Sequence, residues 1–192
     1  MAQVLLVRHA EKGNGKETGK KFHLSPAGQA ASLALGQNLP ETFTQSLKYV
    51  GGSELSRSIH AALLIAIGAG ADPKVLASDK RLASEDQIFN EFGITMDSYV
   101  AALEQCDHSE VDAMRIVCTP KQYELLEDQI YEAIIEALSL DGNVILGTHS
   151  PWLQIAIEAL SGKEYHANVA ELDWLLIDTV ENRPTIIGYN LK

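Results

Sequence analysis

The stretch QVLLVRHAEKGNGK, residues 3–16, decides how the rest of the chain is read. Val4, Leu5, Leu6 and Val7 form a continuous apolar run, the pattern of a buried strand. The run ends in Arg8 and His9 and passes into a loop rich in Gly and Lys. A buried strand that carries a permanent cation and an imidazole at its tip serves as a rigid mount for both.

Outward from this strand the pattern alternates between strand and helix. Residues 25–39 (SPAGQAASLALGQNL) read as a helix with Ser25 as N-cap and Pro26 at its first position. Residues 46–53 (SLKYVGGS) give a second strand, residues 57–71 an apolar helix, and residues 74–82 (KVLASDKRL) a third short strand. Residues 84–119 read as loops and short helices over one end of the sheet. Residues 120–140 form an amphipathic helix, with apolar positions three and four apart. NVILGTHS (143–150) is another buried strand, and SPWLQIAIEALSG (150–162) a helix that starts at Ser-Pro and stops at Gly. Residues 171–180 and 184–190, around Glu-Asn-Arg, form a hairpin. The expected class is α/β: a three-layer sandwich with a mostly parallel central sheet flanked by helices, as one domain over residues 1–192.

Composition narrows the function classes. A chain of 192 residues with 46% hydrophobic and 21% charged residues has material for a sizeable core. No apolar stretch approaches the roughly 20 residues that cross a bilayer, and the first residues lack the pattern of a signal peptide. Cys106 and Cys118 are too few for a disulfide framework. A cytoplasmic protein without membrane partners is expected. The net charge of −11 argues against sequence-independent nucleic-acid binding, which needs a basic face. It permits a small anionic ligand, because a few local cations dominate inside a cleft.

In open α/β sheets, ligands gather outside the carboxyl ends of the strands. The first strand brings Arg8 and His9 there, the second brings Ser53 with Arg57 just beyond, and the strand at 143–148 brings Thr148, His149 and Ser150. Clustered cations cost stability unless an anion neutralises them, and two guanidiniums grip phosphate bidentately. Ser150 and Pro151 mark a helix N-terminus, which also favours an anion. A buried carboxylate network is the structural alternative.

Other chemistries are disfavoured. The chain has no G-x-x-x-x-G-K-[ST], no G-x-G-x-x-G after the first strand and no G-x-S-x-G. The positions six residues after Cys106 and Cys118 hold Asp112 and Glu124, where a thiolate phosphatase needs Arg. His23, His60, His108 and His166 lack metal-ligand spacing, and packing accounts for His60 better than a place in the site. No metal and no cofactor is implied. A nucleophilic imidazole remains. Nearby positive charge lowers the pKa of His9, leaving a free ring nitrogen to attack a phosphorus held by the arginines. The product is a phosphohistidine that water hydrolyses, with His149 stabilising charge on the phosphoryl oxygens.

These residues resemble the histidine phosphatase superfamily, the phosphoglycerate mutase-like clan, and within it the SixA-like branch of small phosphatases. The resemblance rests on LLVRHAEK, with Ala10 where the family usually has Gly, and on LSPAGQAAS with Leu24, Gly28, Gln29 and Ala30. It continues through SELSRSIHAA, with Ser53, Leu55 and Arg57 spaced as Ser-x-Leu-x-Arg, and VILGTHSPWL. The motifs run in order from residue 3 to about residue 160. The resemblance implies a phosphate pocket of Arg8, Arg57 and His149 with His9 as nucleophile. Two departures stand out. The family's Asn six residues after the nucleophile falls at Gly15, with Asn14 one position early. The acid that protonates the leaving group falls at Ser84, so Glu85 is taken in its place, with Asp86 and Glu91 nearby. Some short members acting on phosphohistidine do without this acid, and a solvated acidic loop also accounts for the three carboxylates.

The expected activity is that of a metal-independent phosphoric monoester hydrolase, acting on a phosphomonoester or phosphoramidate. Its substrate is a small phosphorylated molecule or a phosphoprotein. Two other readings stand beside it: a phospho-ligand binding module without turnover, and a phosphoglycerate mutase-type phosphotransferase. A scaffold held by an internal ion cluster is a third. Lys12, Lys16, Lys20 and Lys21 form either a basic lip after the nucleophile or a solvated loop. The oligomeric state is left open.

Overall fold

β1 (Val4–Arg8) lies inside a six-stranded sheet, and its side chains alternate between two apolar layers. Leu5 and Val7 pack with Val50, Ile145 and, from α3 (Ser56–Gly68), Ala62, Ile65 and Ala66. Val4 and Leu6 turn the other way, into the cluster of Val144, Leu146 and Ile130, Ile134 of α6 (Pro120–Leu138) and Leu153 of α7 (Trp152–Ser161). The structure is a computed structural model describing residues 2–13 and 23–191.

The strand order is β3-β2-β4-β1-β5-β6. β3 (Lys74–Val75), β2 (Leu47–Gly52), β4 (Asn143–Thr148) and β1 run parallel, while β5 (Trp174–Val180) and β6 (Arg183–Asn190) add an antiparallel edge. The three-layer, mostly parallel sandwich read from the sequence is the architecture observed. Register matters most for the site. Val7 of β1 and Gly52 of β2 both pair with Gly147 of the intervening β4. The residues after them are tied across as well: His9 N donates to Thr148 O at 3.0 Å, and Ser53 N to Gly147 O at 3.2 Å. Three strand tips therefore end level.

α1 (Pro26–Gln37) begins as read, with the Ser25 hydroxyl accepting from Gly28 N at 2.9 Å. A short α2 (Glu41–Thr44) follows. A capping box of Thr119 and Gln122 opens α6, with Pro120 at its first position. The hairpin turns at Glu181 and Asn182, both left-handed at φ 50° and 62°, the twist a two-residue β-turn requires.

Two segments differ from the sequence reading. The third strand does not run over 74–82. Only Lys74 and Val75 pair, because Asp79 accepts from Arg81 N and winds Lys80–Leu82 into a 3-10 turn that buries Leu82. α7 begins at Trp152 rather than at Ser150, whose hydroxyl donates 2.6 Å to Gln154 Oε1. Residues 84–119 hold the short helices read from the sequence: a π-helical turn (Gln87–Glu91), α4 (Met96–Gln105) and α5 (Glu110–Val117). Thr95 and Ser98 cap α4 reciprocally, and Ser109 caps α5.

Two glycines are set by close approach. A Cβ on Gly147 would lie 2.1 Å from the carbonyl oxygen of Ser58, so only Gly lets α3 settle on β4. A Cβ on Gly28 would lie 2.4 Å from Glu11 O, so Gly28 lets α1 rest on the segment that follows His9. On the opposite layer, buried Glu158 of α7 accepts from Arg115 of α5, from Tyr123 Oη at 2.7 Å and from Tyr165 N at 2.7 Å. That network pins three helices together. No described helix is long and apolar enough to cross a membrane.

Candidate active site

The level strand tips bring Arg8, His9, Arg57 and His149 to the wall of one cavity of about 260 Å³. His9 is 6% exposed, and its Nδ1 lies 2.6 Å from the carbonyl oxygen of Ala10. A carbonyl can only accept, so Nδ1 carries the ring proton and neutral His9 has its lone pair on Nε2. Arg57 Nε donates to that Nε2 at 3.2 Å, in keeping with this tautomer. The imidazoles of His9 and His149 lie 4.7 Å apart, centroid to centroid, and are tilted by 57°.

Burial lowers the pKa of His9 to about 4. The Ala10 carbonyl opposes the shift, and Arg57, Arg8 and Lys12 add to it. Neighbouring cations, the cause expected from the sequence, contribute less than desolvation. Burial also holds His149 well below its ordinary value, helped by His9, Arg57 and Arg8. Arg57 is lowered by burial and by Arg8, against the carboxylate of Glu85.

Arg8 sits where β1 meets the loop before β5. Its Nη1 donates to Val169 O, while its buried Nε has no hydrogen-bond partner. A buried unsatisfied donor is costly, and here it stands beside three other groups suited to an anion.

His149 is held by a hydroxyl relay. Ser58 Oγ donates to Leu55 O at 2.8 Å, Ser53 Oγ lies 2.9 Å from Ser58 Oγ, and His149 Nε2 lies 2.9 Å from Ser53 Oγ. Ser53 Oγ also accepts from Leu55 N at 3.2 Å. With the Ser58 proton committed to the carbonyl, Ser53 donates to Ser58, and His149 Nε2–H donates to Ser53. Ser58 carried no signal in the sequence; Ser53 was read as a strand-tip residue.

Among the three acid candidates, Glu85 lines the cavity. Asp86 accepts from Asn90 Nδ2 at 2.6 Å, and Glu91 is 4.0 Å from Lys80 Nζ; neither lines it. Glu110 and Glu171 also line the cavity, although sequence reading did not single them out. Their positions come from α5 folding over the strand tips and from the loop ahead of β5. Ser150 lines the cavity with its proton committed to Gln154, which leaves its oxygen as an acceptor rather than a donor to phosphate. His60 lies on α3 away from the cavity lining. Lys12 reaches the cavity; Asn14, Gly15, Lys16, Lys20 and Lys21 lie outside the described residues. Among the described residues, no group of three or more His, Cys, Asp or Glu side chains could hold a metal ion.

No family model matches the chain, and no curated protein matches its sequence. Solved structures match over nearly its full length. Bacillus stearothermophilus YhfR aligns with a TM-score of 0.68 at 15% identity, covering 97% of this chain and 96% of that one. Phosphoglycerate mutase from Bacillus anthracis aligns at 0.63 and 19% identity, covering 97% and 92%. A phosphoserine phosphatase from Entamoeba histolytica, in complex with phosphoserine, aligns at 0.60 and 14% identity, covering 99% and 97%. The fold is thus the phosphoglycerate mutase-like fold, as the motif resemblance implied.

Proposed function

We propose that this chain is a phosphatase that works through a covalent phosphohistidine on His9, without a metal or an organic cofactor. One observation carries the reading: the bare Nε2 of neutral His9 points at the Arg57 guanidinium inside a cavity that Arg8 and His149 also line. Arg8 and Arg57 hold the phosphoryl oxygens of a phosphomonoester or phosphoramidate. The Nε2 lone pair forms the N–P bond as the bond to the leaving group breaks, and Glu85 gives the departing atom its proton. The Ala10 carbonyl stabilises the positive charge on the phosphorylated ring through Nδ1–H. Glu85, now a carboxylate, takes a proton from water as the water oxygen attacks phosphorus. The N–P bond breaks, and inorganic phosphate leaves with His9 neutral again. The fold's company of phosphatases and a mutase supports the same class of reaction.

The test is hydrolysis of p-nitrophenyl phosphate in EDTA by the wild type and His9→Ala. Turnover that falls at least ~1,000-fold in the variant supports the nucleophile. Turnover that survives in His9→Ala refutes it, and binding of vanadate without wild-type turnover favours a phospho-ligand binding module.

A further inference from the structure

The cavity includes in its lining a set of apolar side chains that the phosphate chemistry does not use. Besides its cations and imidazoles, it is lined by Ile88 and Phe89 of the π-helical turn, Tyr99 of α4, Met114 of α5 and Trp152 of α7. These side chains converge from four separate elements. Phe89 and Tyr99 are half-buried, while Ile88, Met114 and Trp152 belong to the core, so the apolar wall is fixed from behind. Among the described residues, the charged groups on the lining beyond Arg8 and Arg57 are Lys12 against Glu85, Glu110 and Glu171. A volume of about 260 Å³ is also small for a ligand site, where roughly 300–1,000 Å³ is usual.

We infer that the substrate is a small phosphomonoester whose leaving group is apolar, an aryl or arylalkyl group, with no second anionic group. The inference rests on the phosphatase reading for its reaction, but on the wall of the cavity for its selectivity. An aromatic ring gains by leaving water for a wall of Phe, Tyr, Met and Trp. With Glu85 holding the proton it gives the leaving group, a substrate carboxylate or second phosphate would still face Glu110 and Glu171 against Lys12, so like-charge repulsion and desolvation both oppose it. The two arginines are already engaged by the first phosphate.

Binding and turnover can be read separately. The probes for binding are 3-phenylpropylphosphonate, ethylphosphonate and 4-phosphonobutyrate, titrated calorimetrically. The probes for turnover are the primary alkyl esters 2-phenylethyl phosphate, ethyl phosphate and the phosphate ester of 3-hydroxypropionate, whose leaving groups have similar reactivity. We expect the phenyl compound to bind roughly 10- to 100-fold more tightly than the ethyl one, the worth of one buried ring. The carboxylate compound binds more weakly than the ethyl one. Phe89→Ala reduces the phenyl-over-ethyl ratio to below about 3-fold, and Glu110→Lys narrows the penalty against the carboxylate.

Equal or tighter binding of the carboxylate compound overturns the inference, and so does the absence of binding by all three phosphonates. Hydrolysis that favours the carboxylated ester overturns it while leaving the phosphatase reading intact. Preferential binding of the phenyl compound with no hydrolysis of any ester supports the ligand class and removes the phosphatase reading.

Discussion

Ser53 Oγ lies 2.9 Å from His149 Nε2, and this contact fixes the tautomer of the second imidazole. Because Ser58 and Leu55 occupy the rest of the Ser53 hydroxyl, His149 must donate from Nε2, and its Nδ1 is bare while the ring is neutral. The relay links α3 to β4 at the point where Gly147 admits the helix. Several measurable consequences come from it and from the surrounding geometry.

Ser53→Ala removes the acceptor for His149 and the donor to Ser58 in one step. We expect kcat on p-nitrophenyl phosphate to fall about 10-fold, with KM changing less, and stability to fall by about 1–3 kcal/mol. Steady-state kinetics and urea unfolding check both parts. An unchanged kcat would mean that the tautomer of His149 does not matter to the reaction.

Anion binding should take up protons. His9 and His149 are both neutral at pH 7, and His149 can donate from its second ring nitrogen only after gaining a proton. Calorimetric titration of phosphate at pH 7.5 in buffers of differing ionisation enthalpy reads this directly. Observed enthalpies that track the buffer in the sense of uptake are expected; identical enthalpies in every buffer contradict it.

Stability should fall as pH drops from about 6.5 towards 4. The folded His9 titrates near 4 and the unfolded one near 6.5, so between these values the unfolded chain binds more protons. The contribution is complete above the upper value and is lost below the lower one, amounting to about 3 kcal/mol for His9. His149 acts in the same direction. Urea unfolding of wild type and His9→Asn across this range should show a flatter profile for the variant.

Glu85→Gln separates acid catalysis from phosphate binding. A general acid is worth roughly 100- to 10,000-fold on a poor leaving group and far less on p-nitrophenolate. We expect a large loss with an alkyl phosphate and a small one with p-nitrophenyl phosphate. If Glu110→Gln or Glu171→Gln shows that pattern and Glu85→Gln does not, the proton comes from another wall of the cavity.

Gly147→Ala should cost several kcal/mol or prevent folding, since its methyl would overlap the Ser58 carbonyl at 2.1 Å and neither backbone can move alone. Differential scanning calorimetry of the variant beside Gly162→Ala provides the contrast. Gly162, left-handed at φ 66° with no neighbour within 4 Å of an added Cβ, should cost about 1 kcal/mol.

Much of the architecture was legible because its signals are local. Ser25-Pro26 and Thr119-Pro120 announce helix starts, and the unbroken apolar runs of β1 and β4 announce buried parallel strands. Local signals also misled where a side chain had a nearer partner. Asp79 folds back onto Arg81 and ends β3 early, and Ser150 bonds to Gln154 instead of capping α7. The segment 84–119 was less legible because its helices are short and their apolar positions answer to a cavity as well as to the core.

The sequence by itself determined that Arg8, His9, Ser53 and His149 stand at strand ends, because a parallel sheet delivers its strand tips to one edge. Tertiary structure alone decided the register that sets Val7 and Gly52 opposite Gly147, and with it the contact between Arg57 and His9. It also decided that Glu85 faces the cavity while Asp86 and Glu91 do not, and that Glu110, Glu171 and an apolar wall complete it. These are contacts between residues tens of positions apart, fixed by packing across layers, and no periodicity along the chain encodes them.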